Sequence, residues 1–214
     1  MTLRLWLVRH AQSTWNAAGR MQGWADPPLS DVGREQAALA AARFASEPLT
    51  AIYTSPQIRA VETAQAIGAV SGCEPILDPR LREIGVGQAE GCSWDDWAAR
   101  WPQVATAIAR SEFALEHVPD SEPLPDFLAR VEAVFADIHV QHVEGNIAVV
   151  AHGGVFRAYF GQLLKTAQRY CATLTFGNAS LSLVTFAPDS WASVRFINDT
   201  SHLQNGAGEV LRDA

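Results

Sequence analysis

Lysine is almost absent from this chain. Among its 214 residues Lys and Arg together number 16, and Lys165 is the only lysine, so nearly all positive charge is guanidinium. Arg offers planar, bidentate contacts to phosphate or carboxylate that an ammonium group does not. Asp and Glu number 23, for a net charge of −7. That balance argues against wrapping nucleic acid or lying on anionic lipid, while leaving room for a small positive pocket. Cysteine is scarce as well: Cys73, Cys92 and Cys171 lie far apart, with no CxxC and no Cys/His spacing of metal-ligand type. Such a sparse, odd set fits free thiols in a reducing compartment rather than a disulfide framework. Long apolar runs are missing. The run at residues 5–8 stops at Arg9 and His10, too short for a secretory leader or a membrane helix. Repeats and low-complexity segments are lacking too. The expectation is a cytoplasmic protein with no nucleic-acid or membrane partner.

What is present is a hydrophobic fraction of 48% beside 18% charged residues, enough at this length for one self-sufficient core. A single domain over 1–214 is expected. Strand-like and helix-like patterns alternate along it. Residues 3–8, 50–54 and 146–151 read as buried strands, and 179–186 and 190–197 as a pair around Pro188-Asp189. Residues 30–46 read as a helix capped by Ser30, and 56–70 as one with Pro in its first turn. Residues 125–142 carry Phe127, Leu128, Val131, Val134, Phe135 and Ile138 on one helical face, and another helix is expected over 154–164. The pattern predicts an α/β fold, a three-layer sandwich with a mostly parallel central sheet and helices on both faces. The Trp94, Trp97, Trp101 spacing suggests a helix within a helical lid or insertion at 85–124, and the polar tail at 199–214 is expected to be loose.

Three of the strand patterns end in polar groups. Residues 3–8 run into Arg9-His10, residues 51–53 into Thr54-Ser55-Pro56 and then Arg59, and residues 147–151 into His152-Gly153-Gly154. Ligands of open α/β sheets sit outside the carboxyl ends of the strands. If these strands are parallel neighbours, two His and two Arg converge on one spot, as an oxyanion would require: arginines to clamp it, one histidine to attack it.

Residues 7–16, Leu7-Val8-Arg9-His10-Ala11-Gln12-Ser13-Thr14-Trp15-Asn16, resemble the signature of the histidine phosphatase superfamily, in its phosphoglycerate-mutase-like branch. Further blocks follow in family order: Gln22-Gly23-Trp24, Asp26-Pro27-Pro28-Leu29-Ser30, Tyr53-Thr54-Ser55-Pro56 with Arg59, Leu81-Arg82-Glu83-Ile84, and His152-Gly153-Gly154. The resemblance implies that His10 is a nucleophile forming a phosphohistidine. It implies that Arg9, Asn16, Arg59 and His152 hold the phosphoryl group, with His152 also counted as catalytic. Glu83, rather than Glu35 or Glu90, would protonate the leaving oxygen and then activate water. A carboxyl acting as an acid near neutral pH should be partly desolvated or near another acid. No cofactor and no metal is implied, and the partner would be a small phosphorylated substrate; a homodimer is compatible with the pattern.

Two departures from the family bear on activity. Ala11 stands where the family usually has Gly, which would shift His10 if that position needed a positive φ. The mutases resemble one another in a basic stretch soon after the acid; here residues 84–97 contain no Lys or Arg, and Arg100 and Arg110 are the candidates beyond it. That favours a metal-independent phosphomonoester hydrolase over a phosphoglycerate-mutase-type isomerase. A catalytically dead relative that binds phosphorylated partners is the third reading, opposed by the intact Arg9, His10, Arg59, Glu83 and His152. Asp120-Ser121-Glu122 matches a family block and reads equally as an exposed loop. The tryptophans read as core or lid packing, and His117, His139, His142 and His202 as solvated or structural.

Overall fold

The computed structural model describes residues 2–110, 113–167, 169–187 and 192–203. In chain order its elements are β1 (Leu3–Arg9), α1 (Thr14–Ala17), α2 (Asp31–Ala42), β2 (Ala51–Thr54), α3 (Ile58–Ser71) and β3 (Pro75–Leu77). Then come α4 (Trp94–Arg100), α5 (Pro102–Ala109), α6 (Leu124–Gln141), β4 (Gly145–Ala151), α7 (Gly153–Leu163), β5 (Leu181–Phe186) and β6 (Ala192–Asp199).

The six strands form one sheet in the order β3-β2-β4-β1-β5-β6. The first four run parallel; β5 is antiparallel to β1, and β6 to β5. The adjacency on which the convergence argument depends is therefore real. β4 lies between β1 and β2, with Arg9 opposite Ala151 and Thr54 opposite Val150. Three strands thus end side by side at one rim.

The period of a strand sorts β1 onto two cores. Leu3, Leu5 and Leu7 pack with Phe127, Val131, Phe135 and Phe156 of α6 and α7 on one face. Trp6 and Val8 pack with Ala37, Ala40, Ala64 and Ile67 of α2 and α3 on the other. Both faces of β4 are buried likewise, so it reads as a continuous apolar run. Each fully buried Phe or Leu contributes roughly 1.5–3 kcal/mol relative to exposure, which is why the sheet is firm where it presents its rim.

Helix starts follow their caps. The Ser30 side chain accepts from Gly33 N, as expected for α2. α3 begins at Ile58, two residues later than Pro56, because Gln57 stays extended at φ −69, ψ 134. It closes on Gly72 at φ 71, a left-handed position suited to glycine. β3 and α1 were not expected. β3 has three residues, two of them exposed at the sheet edge, and α1 has four, so neither carries a readable period. The segment 85–124 does hold helices, α4 and α5 with 3₁₀ turns at Gly87–Ala89 and Leu115–His117. Trp97, Val104 and Leu115 join the α6/α7 core. The segment expected to be loose from Asp199 is ordered at its start: Asp199 ends β6, and Ser201–Leu203 is a 3₁₀ turn with Leu203 buried. Residues 204–214 and the turn at Pro188-Asp189 lie outside the described residues.

Candidate active site

Arg9, the last residue of β1, and His10 just beyond it stand at the rim beside His152, which follows β4. The His10 backbone is held at both ends, with its N–H donating to Ala151 O at 2.9 Å and its carbonyl accepting from Ala179 N at 3.1 Å. The ring is 2% exposed, and its Nδ1 lies 2.8 Å from Ala11 O. A carbonyl only accepts, so the proton sits on Nδ1 and Nε2 carries the lone pair. Burial, then the charges of Arg59 and Arg9, push the His10 pKa well below the usual imidazole range. The ring is neutral, and the lone pair on Nε2 stays unprotonated.

Ala11 carries no conformational cost. It lies outside the left-handed region, is fully buried, and donates its N–H to Thr63 Oγ1 at 3.1 Å. The concern raised by its replacing Gly does not materialise, because the position does not need a positive φ.

The His152 ring packs 5.1 Å from the His10 ring, centroid to centroid. Its Nε2 lies 2.8 Å from Ser55 Oγ, which itself accepts from Gln57 N at 3.3 Å. The Ser55 hydroxyl hydrogen is then available to Nε2, the arrangement that leaves the His152 proton on Nδ1. That Nδ1 is buried with no protein partner, a donor ready for an oxyanion. Burial, then Arg59, lowers the His152 pKa well below the ordinary value, so this ring too is neutral.

Arg59 is completely buried. Its guanidinium donates to Ala25 O at 2.8 Å and Gly23 O at 3.2 Å, leaving Nε without a partner. Burial lowers its pKa to about 10, with Glu83 and Asp26 opposing, so it remains a cation near neutral pH. Arg9 is held by a hydrogen bond from its guanidinium to Phe176 O. Asn16 Oδ1 accepts from Ser13 N at 3.1 Å and Asn178 Nδ2 at 3.2 Å, so the group it can offer a ligand is its NH2.

Glu83 comes from a different part of the chain and is half-buried. Its carboxylate accepts from Ile84 N at 2.8 Å and from Gly154 N, in the first turn of α7, at 3.2 Å. Arg130 on α6 braces this loop: its guanidinium donates to the carbonyls of Arg80, Arg82 and Glu83 at 2.7–2.9 Å and to both oxygens of Glu122 at 2.7 Å. Glu122 also accepts from Gly85 N at 3.1 Å. The Asp120-Ser121-Glu122 block is thus a brace for the Glu83 loop rather than a free loop.

Arg9, His10, Asn16, Arg59 and Glu83 line one cavity of about 420 Å³, and His152 packs against His10 behind that lining. The expected residues are brought together. Away from the rim the cavity is walled by Met21, Trp94, Trp97, Phe113, Leu115 and Tyr170, with two cations, Arg20 and Arg157. Arg100 and Arg110 are not part of the lining; Arg100 lies 5.0 Å from the Trp101 ring centre instead. The cations beyond the phosphoryl site come from residues 20 and 157, one just after α1 and one on α7, where a lone Arg gives no sequence signal. Arg157 donates from Nε to Leu174 O at 2.8 Å, and its charge stands beside the half-buried Tyr170. It makes no ion pair with a carboxylate among the described residues. Those residues also contain no group of three or more His, Cys, Asp or Glu placed to hold a metal ion.

A sequence profile of the histidine phosphatase superfamily (branch 1) matches residues 5–199. The chain belongs to that superfamily. It is similar to a probable phosphoglycerate mutase of Photorhabdus laumondii, 32% identical over 98% of this chain and 99% of the other. It is also similar to a metal-independent phosphoserine phosphatase of Arabidopsis thaliana, 33% identical over 94% of this chain and 85% of that one. Among solved structures, a mycobacterial glucosyl-3-phosphoglycerate phosphatase in complex with VO3 superposes with a TM-score of 0.83 at 29% identity, covering 92% of this chain and 99% of that one. This histidine phosphatase is an enzyme of the phosphatase type, built on the mixed α/β sheet described above. No described helix is long and apolar enough to cross a membrane.

Proposed function

We propose that this phosphatase hydrolyses a small phosphomonoester through a phosphohistidine on His10, with arginines in place of a metal. The observation that carries the reading is the 2.8 Å contact of His10 Nδ1 with Ala11 O, which fixes the tautomer with Nε2 free. In the first step the Nε2 lone pair bonds to phosphorus and the ester P–O bond breaks. Its electron pair stays on the leaving oxygen, which takes a proton from the Glu83 carboxyl. In the second step the Glu83 carboxylate takes a proton from water, the hydroxide bonds to phosphorus, and the N–P bond returns its pair to Nε2. Alcohol and inorganic phosphate leave. Phosphoryl transfer demands positioning and charge neutralisation above all. Arg9, Arg59, the Asn16 amide and His152 Nδ1–H supply both around the equatorial oxygens.

The far half of the cavity bears on the leaving group. Arg157 lies one turn along α7 from Gly154, whose N–H holds Glu83, so a cation stands near the departing oxygen. Aromatic and aliphatic walls flank it. An alcohol of small size bearing an anionic group suits this half better than a neutral one, and the phosphoserine and glucosyl-3-phosphoglycerate phosphatases among the relatives are consistent with that.

The test is His10→Ala. Turnover should fall by several orders of magnitude, because the covalent route is lost. Wild-type enzyme quenched during turnover should carry an acid-labile, base-stable phosphoryl group. Chelator should leave activity unchanged, and vanadate should inhibit as a mimic of five-coordinate phosphorus. Near-full activity in His10→Ala, or loss with chelator restored by a divalent cation, would overturn the reading.

A further inference from the structure

We propose that Gln57 is a positioning residue that locks the acid Glu83 to the phosphate clamp. The proposal rests on Glu83 being the general acid. Gln57 lies between β2 and α3 and is 4% exposed. It touches neither the phosphoryl pocket nor the substrate half of the cavity, yet its amide is used at both ends. Oε1 accepts from Glu83 N at 2.8 Å. Nε2 donates to Gly23 O at 2.9 Å and reaches Ala25 O at 3.4 Å. Those two carbonyls are the ones that take the Arg59 guanidinium, at 3.2 and 2.8 Å. One side chain therefore fixes the backbone of the acid against the loop that fixes the clamp.

The alternatives for holding Glu83 are fewer than they look. Arg130 grips the carbonyls of residues 80, 82 and 83, and Trp24 Nε1 also donates to Glu83 O at 2.9 Å. All of these act on acceptors. The Glu83 N–H has Gln57 as its partner, and that bond sets the rotation of the peptide from which the carboxyl projects. A buried N–H deprived of its acceptor turns toward another one or toward water. The carboxyl would follow, while His10 and His152 keep their own anchors on Ala11 and Ser55.

A displaced acid has a signature that general damage lacks. An alkyl phosphate needs its leaving oxygen protonated; an aryl phosphate such as p-nitrophenyl phosphate expels a stable phenolate and needs this little. The quantity to compare is kcat/KM, which reports steps up to the first irreversible one, here departure of the alcohol.

The experiment measures kcat/KM for O-phospho-L-serine and p-nitrophenyl phosphate, together with vanadate inhibition and thermal melting. The proteins are wild type, Glu83→Gln, Gln57→Met and Gln57→Glu. Glu83→Gln should lose roughly 100-fold or more on the alkyl ester and much less on the aryl ester, the range for an acid–base group. Gln57→Met, which keeps the volume and loses both hydrogen bonds, should show the same asymmetry at about 10-fold on the alkyl ester. Vanadate inhibition should change less than about 3-fold, since vanadate reads the clamp and not the acid. Gln57→Glu retains an acceptor for Glu83 N and should recover part of the alkyl-ester rate, and it keeps the test alive if the Met variant melts too low to assay. Equal losses on both esters, or no loss, in a Gln57 variant while Glu83→Gln stays asymmetric would overturn the proposal alone. Symmetric loss in Glu83→Gln would overturn the assignment of the acid and the proposal with it.

Discussion

The carboxylate of Glu83 occupies the space that a side chain at position 154 would fill. Gly154 N donates to Glu83 Oε2 at 3.2 Å, and a Cβ on Gly154 would overlap Oε1. The atom in the way is the far end of a flexible side chain, so the clash can be relieved by moving the acid rather than the helix.

Gly154→Ala should therefore separate activity from stability. Alanine favours the helix, so melting should change little. Turnover of an alkyl phosphate should fall about 10- to 100-fold, because the acid loses its place. Parallel loss of melting temperature and activity would mean that the helix, not Glu83, had moved.

The buried imidazoles make stability depend on pH in a definite direction. His10 and His152 have pKa values pushed well below 6.5 by burial in the folded protein, and partly buried His139 and His202 are lowered too. The unfolded chain binds protons at these sites as pH falls through about 6.5, while the folded chain does not. Protons then favour the unfolded state, and stability declines as pH drops below that point until the folded-state values are reached. Each such histidine costs at most about 1.4 kcal/mol per pH unit over that window. Melting temperature should fall from pH 7 to pH 5.5, and His152→Gln should show a shallower fall than wild type. The same shift keeps Nε2 of His10 unprotonated, so kcat/KM should not begin its acid decline at 6.5 through this residue. An identical slope in wild type and His152→Gln would refute the linkage.

How far the sequence carried the reading depends on where each residue's partners lie. Arg9 and His152 were legible because each ends a run of buried strand residues, and their meeting followed once β1 and β4 were neighbours. Glu83 lies on no strand end and was found through the family block around it; its place depends on α7 and on Arg130, 47 residues away. Gln57 and Arg157 gave no signal. A polar residue in the first turn of a helix expected at 56–70, like an arginine on a helix, reads as solvated until the loops that bury it are in place. The cations beyond the phosphoryl site lie outside the segment that follows Glu83, and the cavity takes them from positions 20 and 157.

Those two arginines make the choice between hydrolysis and isomerisation the most consequential prediction. Both reactions begin with transfer of the phosphoryl group to His10. A mutase must then hold the dephosphorylated product, turn it, and return the group to another oxygen. Holding a bisphosphorylated intermediate away from water requires neutralising a carboxylate and a second phosphate at once. Here the segment after the acid supplies Ile84, Val86, Trp94 and Trp97 to the cavity and no cation. Arg20 is exposed and already donates to Gly91 O at 2.8 Å, and Arg157 is tethered to Leu174 O. One tethered guanidinium and one at the solvent edge suffice for a single anionic group, not for a carboxylate and a second phosphate together. Product should escape and water should attack the phosphohistidine. With 3-phosphoglycerate, with or without 2,3-bisphosphoglycerate, 2-phosphoglycerate should be negligible, while a phosphomonoester with one further anionic group gives steady inorganic phosphate. Arg157→Leu should raise KM for that ester about 10-fold, as expected for a lost charge-assisted contact, and leave p-nitrophenyl phosphate nearly unchanged. If 2-phosphoglycerate formed faster than inorganic phosphate, and Arg20→Leu and Arg157→Leu each abolished its formation, the two arginines would be a mutase clamp and the hydrolytic reading would fail.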